Sequence, residues 1–348
     1  MRAIKTVADH QAEIQEVPIP AVRYGYILVK VKAVALNPTD WKHIDIAAPP
    51  GTTVGCDFSG VVQEVGSGVQ RSWKRGDRIA GFAHGGNEVQ PEDGCFAEYC
   101  VVKDGIGFKI PDHMTDEEAC TLGIGVTTVG QALYQSLALP LPGANPEAAA
   151  NFPILINGGS TATGSLAIQY ARLSGCSSVI TTCSEHNFAL VEAIGTHAAF
   201  DYRDPRCAQQ IRERTADKLA HALDCVSTKE SAEICAAAIG SAGGAVSYLL
   251  PVKHEREDVQ VKYTLGYTVF GEYFRVAGGR EFAARPEDFE FGRMFWELSE
   301  RLITDGRIRV HPPEIGKDGL RGVFEGLQAM REGRVSGRKL VYRIDETP

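Results

Sequence analysis

The stretch ILINGGSTATGSLAIQYARLSG, residues 154–175, decides the fold of this chain. It begins with an apolar run of strand length and continues through the glycine-rich turn NGGSTATG. Leu166, Tyr170 and Leu173 then follow at the spacing of one helix face. A strand, a glycine turn and a helix in this order present backbone N–H groups to a diphosphate in a doubly wound sheet. The motif G-x-G-x-x-G is absent, since Thr161 stands where a glycine is expected, and the stretch alone fits an ordinary strand-to-helix turn equally well.

The chain after this stretch decides between the two interpretations. Apolar strand-like runs (SVITTC, AAFDY, HALDCVS and AVSYLL) alternate with helical segments of about a dozen residues, which is typical of a parallel sheet with crossover helices. YTLGYTVFGE, residues 263–272, is predicted to add one more β-segment. The fold class is therefore α/β, with a Rossmann doubly wound parallel sheet around the glycine turn.

The chain before this stretch has a different pattern. Residues 1 to 110 contain many short strand-like runs with turn residues between them, which predicts a small β-barrel or sandwich domain. Thr115 is predicted to cap a helix, with Glu118 as its capping-box partner. Residues 140–153 read as a surface loop. The last strand, SGRKLVYRI at 336–344, is predicted to return to the first domain, because joining the parallel sheet needs another crossover.

Composition excludes several classes of function. The 348 residues suffice for about two domains, and the formal net charge of −8 argues against a nucleic-acid-binding or anionic-membrane surface. No apolar run is long enough to span a bilayer, and the N-terminus lacks the apolar region of a signal peptide. Nine cysteines without any C-x-x-C fit free thiols in a reducing compartment, so a cytoplasmic location is expected.

The segment after the second strand bears on the choice of dinucleotide. An acidic residue about 20 positions past the glycine turn holds the ribose 2′-hydroxyl of NAD in such sheets. Here Ser184, Glu185, His186 and Asn187 occupy that place, and hydroxyl, imidazole and amide groups suit a 2′-phosphate. We therefore expect NADPH, although Glu185 opposes this choice unless it points away. The same quartet also fits a plain helix cap with Ser184 as the capping residue.

Four landmarks carry a resemblance to the medium-chain dehydrogenase/reductase superfamily over nearly the whole chain. They are LNPTDWK at 36–42, VGCDFSGVVQEVG at 54–66, GDRIAGF at 76–82 and GGSTATGSLAIQ at 158–169. The combination of GGSTAT, CSEHNF and FDYR is similar to fungal trans-acting enoyl reductases, the stand-alone partners of iterative polyketide synthases. The resemblance implies a GroES-like β-barrel domain at 1–123, a Rossmann NADP-binding domain at 124–284 and a return to the first domain at 285–348.

The zinc-dependent members of that superfamily differ from this chain at two landmarks. They need a cysteine near the first landmark and Gly-His-Glu at the second, where this chain has Asn37-Pro38 and Gly55-Cys56-Asp57. Catalytic zinc needs three protein ligands and an open fourth position, and Cys56 with Asp57 does not make that set. Of the cysteines that a structural zinc lobe requires, only Cys95 and Cys100 lie in the right region. We expect no metal.

The resemblance also implies a set of site residues. The cofactor contacts are Thr39, Asp40, Trp41, Lys42, Ser160, Thr161, Ala162, Thr163, Ser184, Glu185, His186, Asn187, Tyr202, Leu249, Leu250, Val335 and Ser336. The substrate contacts are Thr127, Thr128, Val129, Gly130, Gln131, Ala132, Leu133, Tyr134, Val269, Phe270, Gly271, Glu272 and Tyr273. Lys42 and Thr127 are the candidate catalytic donors. The loop His84-Gly85-Gly86-Asn87 is expected to be mobile and without chemistry.

Each of these roles has a simpler alternative. Lys42 fits a contact to ribose or phosphate, and Thr127 fits a helix-interior threonine bonded to a preceding carbonyl. Tyr202 fits a half-buried ring that ends a strand, and Leu249 with Leu250 fits plain core. Residues 269–273 fit a strand that packs a sheet edge.

Without zinc to polarise a carbonyl, conjugate reduction is the reaction that these residues favour. The first hypothesis is an NADPH-dependent enoyl reductase that acts in trans on acyl-carrier-bound thioesters of a polyketide synthase, either alone or joined to a peptide synthetase. The second is a quinone or alkenal reductase, and the third is an NADPH-binding protein without turnover. Pro251 and the charged stretch KHEREDVQVK oppose pairing at the expected sheet edge, so we expect a monomer.

Overall fold

The computed structural model describes residues 1–8, 10–143, 152–276 and 279–348. The chain forms two compact units: unit 1 comprises Met1–Thr127 with Tyr267–Pro348, and unit 2 comprises Thr128–Gly266. The boundaries 1–123, 124–284 and 285–348 stay a prediction of where the domains divide. Most of the predicted loop at 140–153 lies outside the described residues. Among the described residues, no helix has the length and apolar character needed to cross a membrane.

The described residues contain strands in both units. In chain order these are β1 (Arg2–Ala8), β2 (Gln11–Glu16), β3 (Tyr26–Ala35), β4 (Asp57–Val65), β5 (Arg78–Phe82), β6 (Tyr99–Lys103), β7 (Gly107–Lys109), β8 (Pro153–Asn157), β9 (Ser178–Thr182), β10 (Ala198–Phe200), β11 (His221–Asp224), β12 (Gly244–Tyr248), β13 (Val259–Tyr263), β14 (Phe274–Val276), β15 (Arg280–Phe282), β16 (Pro313–Ile315) and β17 (Lys339–Arg343).

Helices connect these strands. The α-helices are α1 (Pro38–Lys42), α2 (Asp116–Ala119), α3 (Gly123–Gly130), α4 (Ala162–Leu173), α5 (Phe188–Ala193), α6 (Cys207–Arg214), α7 (Lys229–Ala238), α8 (Pro286–Thr304) and α9 (Gly319–Arg331). One π-helical segment follows α1 at His43–Ala47 and another follows α3 at Gln131–Ser136. The predicted cap of α2 is confirmed, because Thr115 and Glu118 exchange side-chain and backbone hydrogen bonds as a capping box.

Unit 1 is built on a seven-stranded sheet. Its order is β16-β17-β3-β4-β5-β7, with β6 also paired to β3. Several apolar side chains of β3 and β4, among them Val29, Val31, Phe58 and Val62, are buried and belong to its core. Strand β17 pairs antiparallel with β3, with Tyr342 opposite Val34, so the predicted return of the last strand to the first domain is confirmed.

Unit 2 contains a six-stranded parallel sheet in the order β10-β9-β8-β11-β12-β13, which confirms the predicted doubly wound sheet. The chain leaves β8 on one side through β9 and β10, and then returns to its other side through β11. This reversal of strand order places a crevice at the carboxyl end of β8, where open α/β sheets bind ligands. Asn157 at that end lies level with Thr182 and Asp224 of the neighbouring strands.

The prediction of a β-segment over residues 263–272 is wrong. Strand β13 ends at Tyr263, and Gly266–Phe270 form a 3₁₀-helix. Side chains three residues apart lie above one another in such a helix. Tyr267 and Phe270 therefore project to the same side, where both rings stack on His84 with centroid distances of 4.7 and 5.1 Å. Packing against these rings decides the local conformation here, rather than strand propensity.

Candidate functional site

The glycine turn after β8 is packed so closely that side chains are excluded at three positions. Gly158 has a φ of +79°, in the left-handed region. A Cβ at Gly159 would lie 2.0 Å from the Oγ1 of Thr181, and a Cβ at Gly164 would lie 2.2 Å from the carbonyl oxygen of Gly158. The start of α4 is thereby held directly against the end of β8, as a dinucleotide-binding turn requires.

Thr161 caps helix α4. Its hydroxyl donates to the carbonyl oxygen of Gly158 at 2.8 Å and accepts from the backbone N–H of Gly164 at 2.9 Å. The hydroxyl thus closes the turn that a glycine makes in the G-x-G-x-x-G motif. Residues 160–163 are half-buried, and the first amide groups of the helix have no partner within it. This arrangement fits the diphosphate of a dinucleotide.

Three polar side chains at the carboxyl ends of adjacent strands support the turn. Asn157 donates to the carboxylate of Asp224 at 2.8 Å and accepts a hydrogen bond from the hydroxyl of Thr182. The backbone N–H groups of Gly158 and Gly159 both donate to the carbonyl oxygen of Thr182 at 3.1 Å. Sequence reasoning missed this network. The sequence feature that indicates such a network is a polar residue at the end of an otherwise apolar strand.

The Ser184 to Asn187 segment forms one turn of 3₁₀-helix before α5. Glu185 and His186 are exposed, Ser184 is half-buried and Asn187 is buried. The N–H of Asn187 donates to the carbonyl oxygen of Ser184 at 2.8 Å, so the segment does begin a helix. The side chain of Ser184 makes no capping hydrogen bond, so the simpler interpretation holds for the helix start and not for the cap.

An open pocket of about 390 Å³ lies beside this segment at the carboxyl end of β10. Glu185, Asp201 and Arg203 line it, together with Phe188 and Phe200. Glu185 therefore faces this pocket instead of pointing away from it. An acidic rim of this kind needs a nearby cation before it can accept a phosphate.

Arg203 is a cation in this lining that sequence reasoning missed, but it is already paired with Asp201, and Asp204 adds a third carboxylate to the pocket. The Nε of Arg203 donates to Asp201 at 3.0 Å, and the guanidinium lies 5.4 Å from the ring centroid of Tyr202. The Arg203 side chain is 58% exposed, and Tyr202 is exposed as well.

Further along unit 2, Leu249 and Leu250 are half-buried after β12, and the N–H of Leu249 donates to the hydroxyl of Ser227 at 2.9 Å.

In unit 1, helix α1 carries the predicted residues Thr39 to Lys42. Asp40 is fully buried and accepts the N–H of Asn37 at 2.7 Å, and burial raises the pKa of its carboxyl group to about 8. Lys42 is half-buried, with its ammonium 5.5 Å from the Trp41 ring centroid, and burial lowers the pKa of this ammonium. Asp40 therefore supports the helix, while Lys42 is a partly accessible donor.

The hydroxyl of Thr39 lies 2.7 Å from that of Tyr267, which in turn lies 3.4 Å from the Sγ of Cys56. His84 stacks on the Tyr267 ring, and burial lowers the pKa of His84 to about 3. The loop from His84 to Asn87, expected to be mobile and without chemistry, is thus buried under the 3₁₀-helix. A neutral imidazole packed between aromatic rings contributes shape and apolar contact.

The predicted substrate segment 269–273 is firmly attached to unit 1. Val269 and Phe270 are buried. The carboxylate of Glu272 accepts the hydroxyl of Tyr26 at 2.8 Å and pairs with Lys103, whose ammonium also donates to the carbonyl oxygen of Phe270 at 2.6 Å. Glu272 is therefore neutralised by a cation of the same unit. Tyr273 is exposed at the end of the segment.

The second predicted substrate segment starts at Thr127, the last residue of unit 1 before unit 2 begins. Thr127 is buried, and its hydroxyl oxygen accepts the indole N–H of Trp296 at 3.0 Å, which leaves the hydroxyl proton for another acceptor. Within unit 2, the Tyr134 hydroxyl lies 3.0 Å from that of Ser174. Thr128 is half-buried, whereas the remaining residues of this segment are buried, namely Val129, Gly130, Gln131, Ala132, Leu133 and Tyr134.

The last two predicted cofactor residues lie in unit 1, before β17. Val335 is half-buried and Ser336 is exposed.

The residues at the two zinc landmarks do not fit a catalytic zinc ion. Asp57 is paired with the ammonium of Lys339, Cys56 contacts the Tyr267 hydroxyl, and the place of the expected cysteine ligand is taken by Asn37. In the described ranges of the chain, no group of three or more His, Cys, Asp or Glu side chains is arranged to hold a metal ion.

Two family models match the chain. Residues 23–112 match the alcohol dehydrogenase GroES-like domain, and residues 162–275 match the zinc-binding dehydrogenase domain. The fold agrees with the crystal structure of an alcohol dehydrogenase superfamily protein from Novosphingobium aromaticivorans, with a TM-score of 0.80 and 19% identity over 98% of this chain and 99% of that one.

Curated relatives are closer in sequence. The chain is 46% identical to the trans-enoyl reductase ACTTS2 of Alternaria alternata over 99% of both chains. It is 69% identical, over 65% of its length, to the dual trans-enoyl reductase/FAD-dependent monooxygenase tazHJ of Aspergillus terreus, and this match spans 32% of that longer protein.

A GroES-like sheet domain joined to a parallel-sheet domain with a glycine-rich turn (here residues 158–164, the glycine cradle) defines a medium-chain dehydrogenase/reductase. The chain belongs to that family. The full-length identity with ACTTS2 assigns it further to the trans-enoyl reductases. The resemblance given by the landmarks is thus confirmed. Membership in a family of dehydrogenases also supports a nicotinamide cofactor.

Proposed function

We propose that this protein is an NADPH-dependent enoyl reductase that acts in trans on α,β-unsaturated acyl thioesters carried by a partner polyketide synthase. The observation that carries the proposal is identity of 46% and 45% over 99% of the chain to two trans-enoyl reductases. The glycine cradle of unit 2 supports it independently, because its geometry suits a dinucleotide diphosphate.

Residues of unit 2 supply most of the proposed cofactor contacts. The half-buried turn Ser160, Thr161, Ala162 and Thr163 binds the diphosphate through backbone amides and hydroxyl groups. Ser184, His186 and Asn187 surround the 2′-phosphate, Tyr202 lies near the adenine or ribose, and Arg203, which is paired with Asp201 in this structure, is the guanidinium that we assign to the phosphate. Leu249 and Leu250 contact the nicotinamide. From unit 1 we assign Thr39, Trp41, Lys42, Val335 and Ser336 to the same cofactor on the family resemblance, while the fully buried Asp40 supports the helix that carries the first three.

Bound NADPH supplies a hydride to the β-carbon of the enoyl thioester. The negative charge that then develops on the thioester oxygen needs hydrogen-bond donors, and the α-carbon takes up one proton to complete the reduction. We assign the Lys42 ammonium to the first role, and bulk water supplies the proton for the α-carbon. The Thr127 hydroxyl, whose oxygen already accepts from Trp296, donates its proton to the thioester or to the nicotinamide amide.

The acyl chain is assigned to the segments 127–134 and 269–273, which are mostly apolar and therefore suit a hydrocarbon better than a sugar. Because Glu272 is paired with Lys103, the second segment adds no free negative charge.

The decisive experiment follows NADPH consumption with a panel of substrates. Enoyl pantetheine thioesters of increasing chain length, free alkenals and quinones are compared with the same purified protein. Turnover with the thioesters, rising with chain length, is the expected result. Turnover with alkenals or quinones alone would support the second hypothesis, and tight NADPH binding without any turnover would support the third.

A monomeric state and a cytoplasmic location are part of the same proposal. Strand β13 ends the order of the unit 2 sheet, and Pro251 and several charged residues precede it. Such residues discourage strand addition. A solution mass of one chain, measured by light scattering, is the expected result, and a stable dimer would contradict it.

A further inference from the structure

The ammonium of Lys339 is buried in unit 1 and has a partner for each of its three protons. It pairs with the carboxylate of Asp57 and donates to the side-chain oxygen of Asn37 at 3.0 Å and to the carbonyl oxygen of Thr121 at 3.2 Å. Lys339 is 3% exposed and Asp57 is fully buried. A lysine ammonium has three donors and no acceptor, so its hydrogen-bonding capacity is filled.

Asp57 extends this contact to the beginning of α3. Its second carboxylate oxygen accepts the backbone N–H of Ile124 at 2.6 Å. Gly123 makes this approach possible, because a Cβ there would lie 2.3 Å from the same oxygen. The negative charge thus rests on the amino end of a helix, which is the favourable end for an anion.

Asn37 extends the contact in the other direction, to the beginning of α1. Its side-chain oxygen is held by Lys339, and its backbone N–H is held by the buried carboxylate of Asp40. Helix α1 follows directly and carries Thr39 and Lys42. One buried cation, contributed by the last strand of the chain, therefore connects the first residues of two helices that lie far apart in sequence.

We propose that Lys339 is a positioning residue for the reduction: its ammonium fixes the start of α1 relative to the start of α3, and so holds Lys42 and Thr127 in one geometry. The inference rests on the proposed function, which assigns these two residues as donors. Both donors must be aligned with a single reacting group, and misplacement of a catalytic group by about 1 Å can lower the rate about 100-fold.

A buried ion pair can also be kept for folding alone, and the experiment must separate the two roles. Removal of Lys339 alone would leave the Asp57 carboxylate unpaired in the interior, which destabilises a fold strongly. The informative variant therefore removes both charges. In Asp57→Asn/Lys339→Met, the asparagine oxygen can still accept the N–H of Ile124, while the connection to Asn37 and Thr121 is lost.

The wild type and this variant are compared in three measurements. These are thermal unfolding, the affinity for 2′,5′-ADP by calorimetry, and kcat and KM for NADPH oxidation with the best substrate of the panel. The probe 2′,5′-ADP contains the adenosine half of the cofactor, whose proposed contacts all lie in unit 2. We expect cooperative unfolding and unchanged 2′,5′-ADP affinity, with kcat lowered about 100-fold.

A matched control makes the same change in an exposed pair. Lys109 pairs with Asp77 at 2.8 Å at the surface of unit 1, and its side chain is 55% exposed. Asp77→Asn/Lys109→Met should keep the wild-type kcat. A folded Asp57→Asn/Lys339→Met variant whose kcat stays within about two-fold of the wild type would overturn the proposal.

Asn37→Ala covers the case in which the double variant does not fold. It keeps the ion pair and removes the contact between Lys339 and the start of α1, together with the side-chain contacts of Asn37 to the backbone N–H of Asp40 and to the carbonyl oxygen of Ala35. We expect kcat to fall about tenfold, and an unchanged kcat would overturn the proposal. Wild-type turnover reports on the proposed function, whereas the ratio of variant to wild type reports on Lys339. The two can therefore fail separately.

Discussion

The hydroxyl groups of Thr39 and Tyr267 lie 2.7 Å apart, although 228 positions separate the two residues in the chain. Thr39 belongs to the segment that we assign to the cofactor, and Tyr267 begins the turn that leads into the proposed acyl-binding segment. Both residues belong to unit 1. This hydrogen bond therefore connects two parts of the proposed site within one rigidly packed group of rings.

Tyr267→Phe tests that connection. The ring and its stacking on His84 are kept, whereas the hydrogen bond to Thr39 and the weaker contact to the Sγ of Cys56 are lost, so the free energy of unfolding should fall by about 1 kcal/mol. The freed Thr39 side chain should also raise the KM for NADPH several-fold. Urea unfolding and steady-state kinetics measure the two effects. Tyr24→Phe, at a residue that is 78% exposed, is the control and should change neither quantity.

Lys42→Ala tests the proposed donor. Loss of the ammonium should lower kcat about 100-fold, because a positioned donor contributes roughly that factor to a proton transfer or to charge stabilisation. If Lys42 only contacts the ribose or a phosphate, KM for NADPH will rise while kcat stays constant. Lys74→Ala, at an exposed lysine of the same unit, should behave as the wild type.

Arg203→Ala tests the choice between NADPH and NADH. Loss of one charge-assisted contact to the 2′-phosphate should cost about 2 kcal/mol, which corresponds to a KM for NADPH raised about 30-fold. The KM for NADH should not change, since NADH lacks that phosphate. Arg206→Ala removes a nearby guanidinium whose side chain is 72% exposed and should leave both constants unaltered. Equal effects on both dinucleotides would remove Arg203 from the phosphate site.

Gly159→Ala tests how closely the glycine cradle packs against the neighbouring strand and helix. The added methyl group would lie 2.0 Å from the Oγ1 of Thr181 and 2.9 Å from the Cδ1 of Ile168, so the turn must move. We expect 2′,5′-ADP affinity to fall at least about tenfold and stability to fall by roughly 1–3 kcal/mol. Adding Thr181→Ala removes the nearer of the two obstacles and should recover part of the affinity. No loss in the single variant would contradict the packing described for this turn.

Asp40→Asn tests the consequence of burying a carboxyl group. The pKa of Asp40 is raised from 3.8 to about 8, mainly by burial, so the folded state binds a proton that the unfolded state has released. The contribution of this group to the free energy of unfolding is thus fully present below pH 4 and is lost as the pH rises towards 8. Between about pH 5 and 7 the carboxyl group is protonated in the folded state and ionised in the unfolded state, so this group lowers the stability of the wild type by about 1.4 kcal/mol per pH unit. The histidines contribute equally to the wild type and the variant, so their contribution cancels in the comparison.

The asparagine variant keeps an acceptor for the N–H of Asn37 but has no group that titrates. The difference in free energy of unfolding between the wild type and this variant, measured in urea across that interval, should change by this amount per pH unit, with the wild type losing stability as the pH rises. Parallel curves for the two proteins would show that Asp40 is ionised in the fold.

Local patterns predicted much of the architecture. The alternation of apolar runs and helices in the second half of the chain predicted the parallel sheet, and the glycine turn predicted where α4 begins. The Thr115 and Glu118 capping box was also predicted. These features depend on residues that are neighbours in sequence, so spacing and residue type suffice to recognise them.

Predictions failed where distant residues meet. The 3₁₀-helix at Gly266–Phe270 was predicted as a strand because its residues have high strand propensity. Arg203 was overlooked because an arginine after a strand is usually only a solvated charge. The landmark resemblance assigned roles to Lys42 and Thr127, but no local pattern indicates that α1 and α3 are joined at their starts.

The sequence by itself determined the class of fold, the cofactor-binding turn and the family, because each rests on short-range spacing or on recognisable motifs. Only the tertiary structure decided that Lys339 lies among Asn37, Asp57 and Thr121, and that His84 lies under Tyr267 and Phe270. Burial of a charge or an imidazole is favourable only when partners converge from several segments. That convergence is a property of the packed chain and not of any one segment.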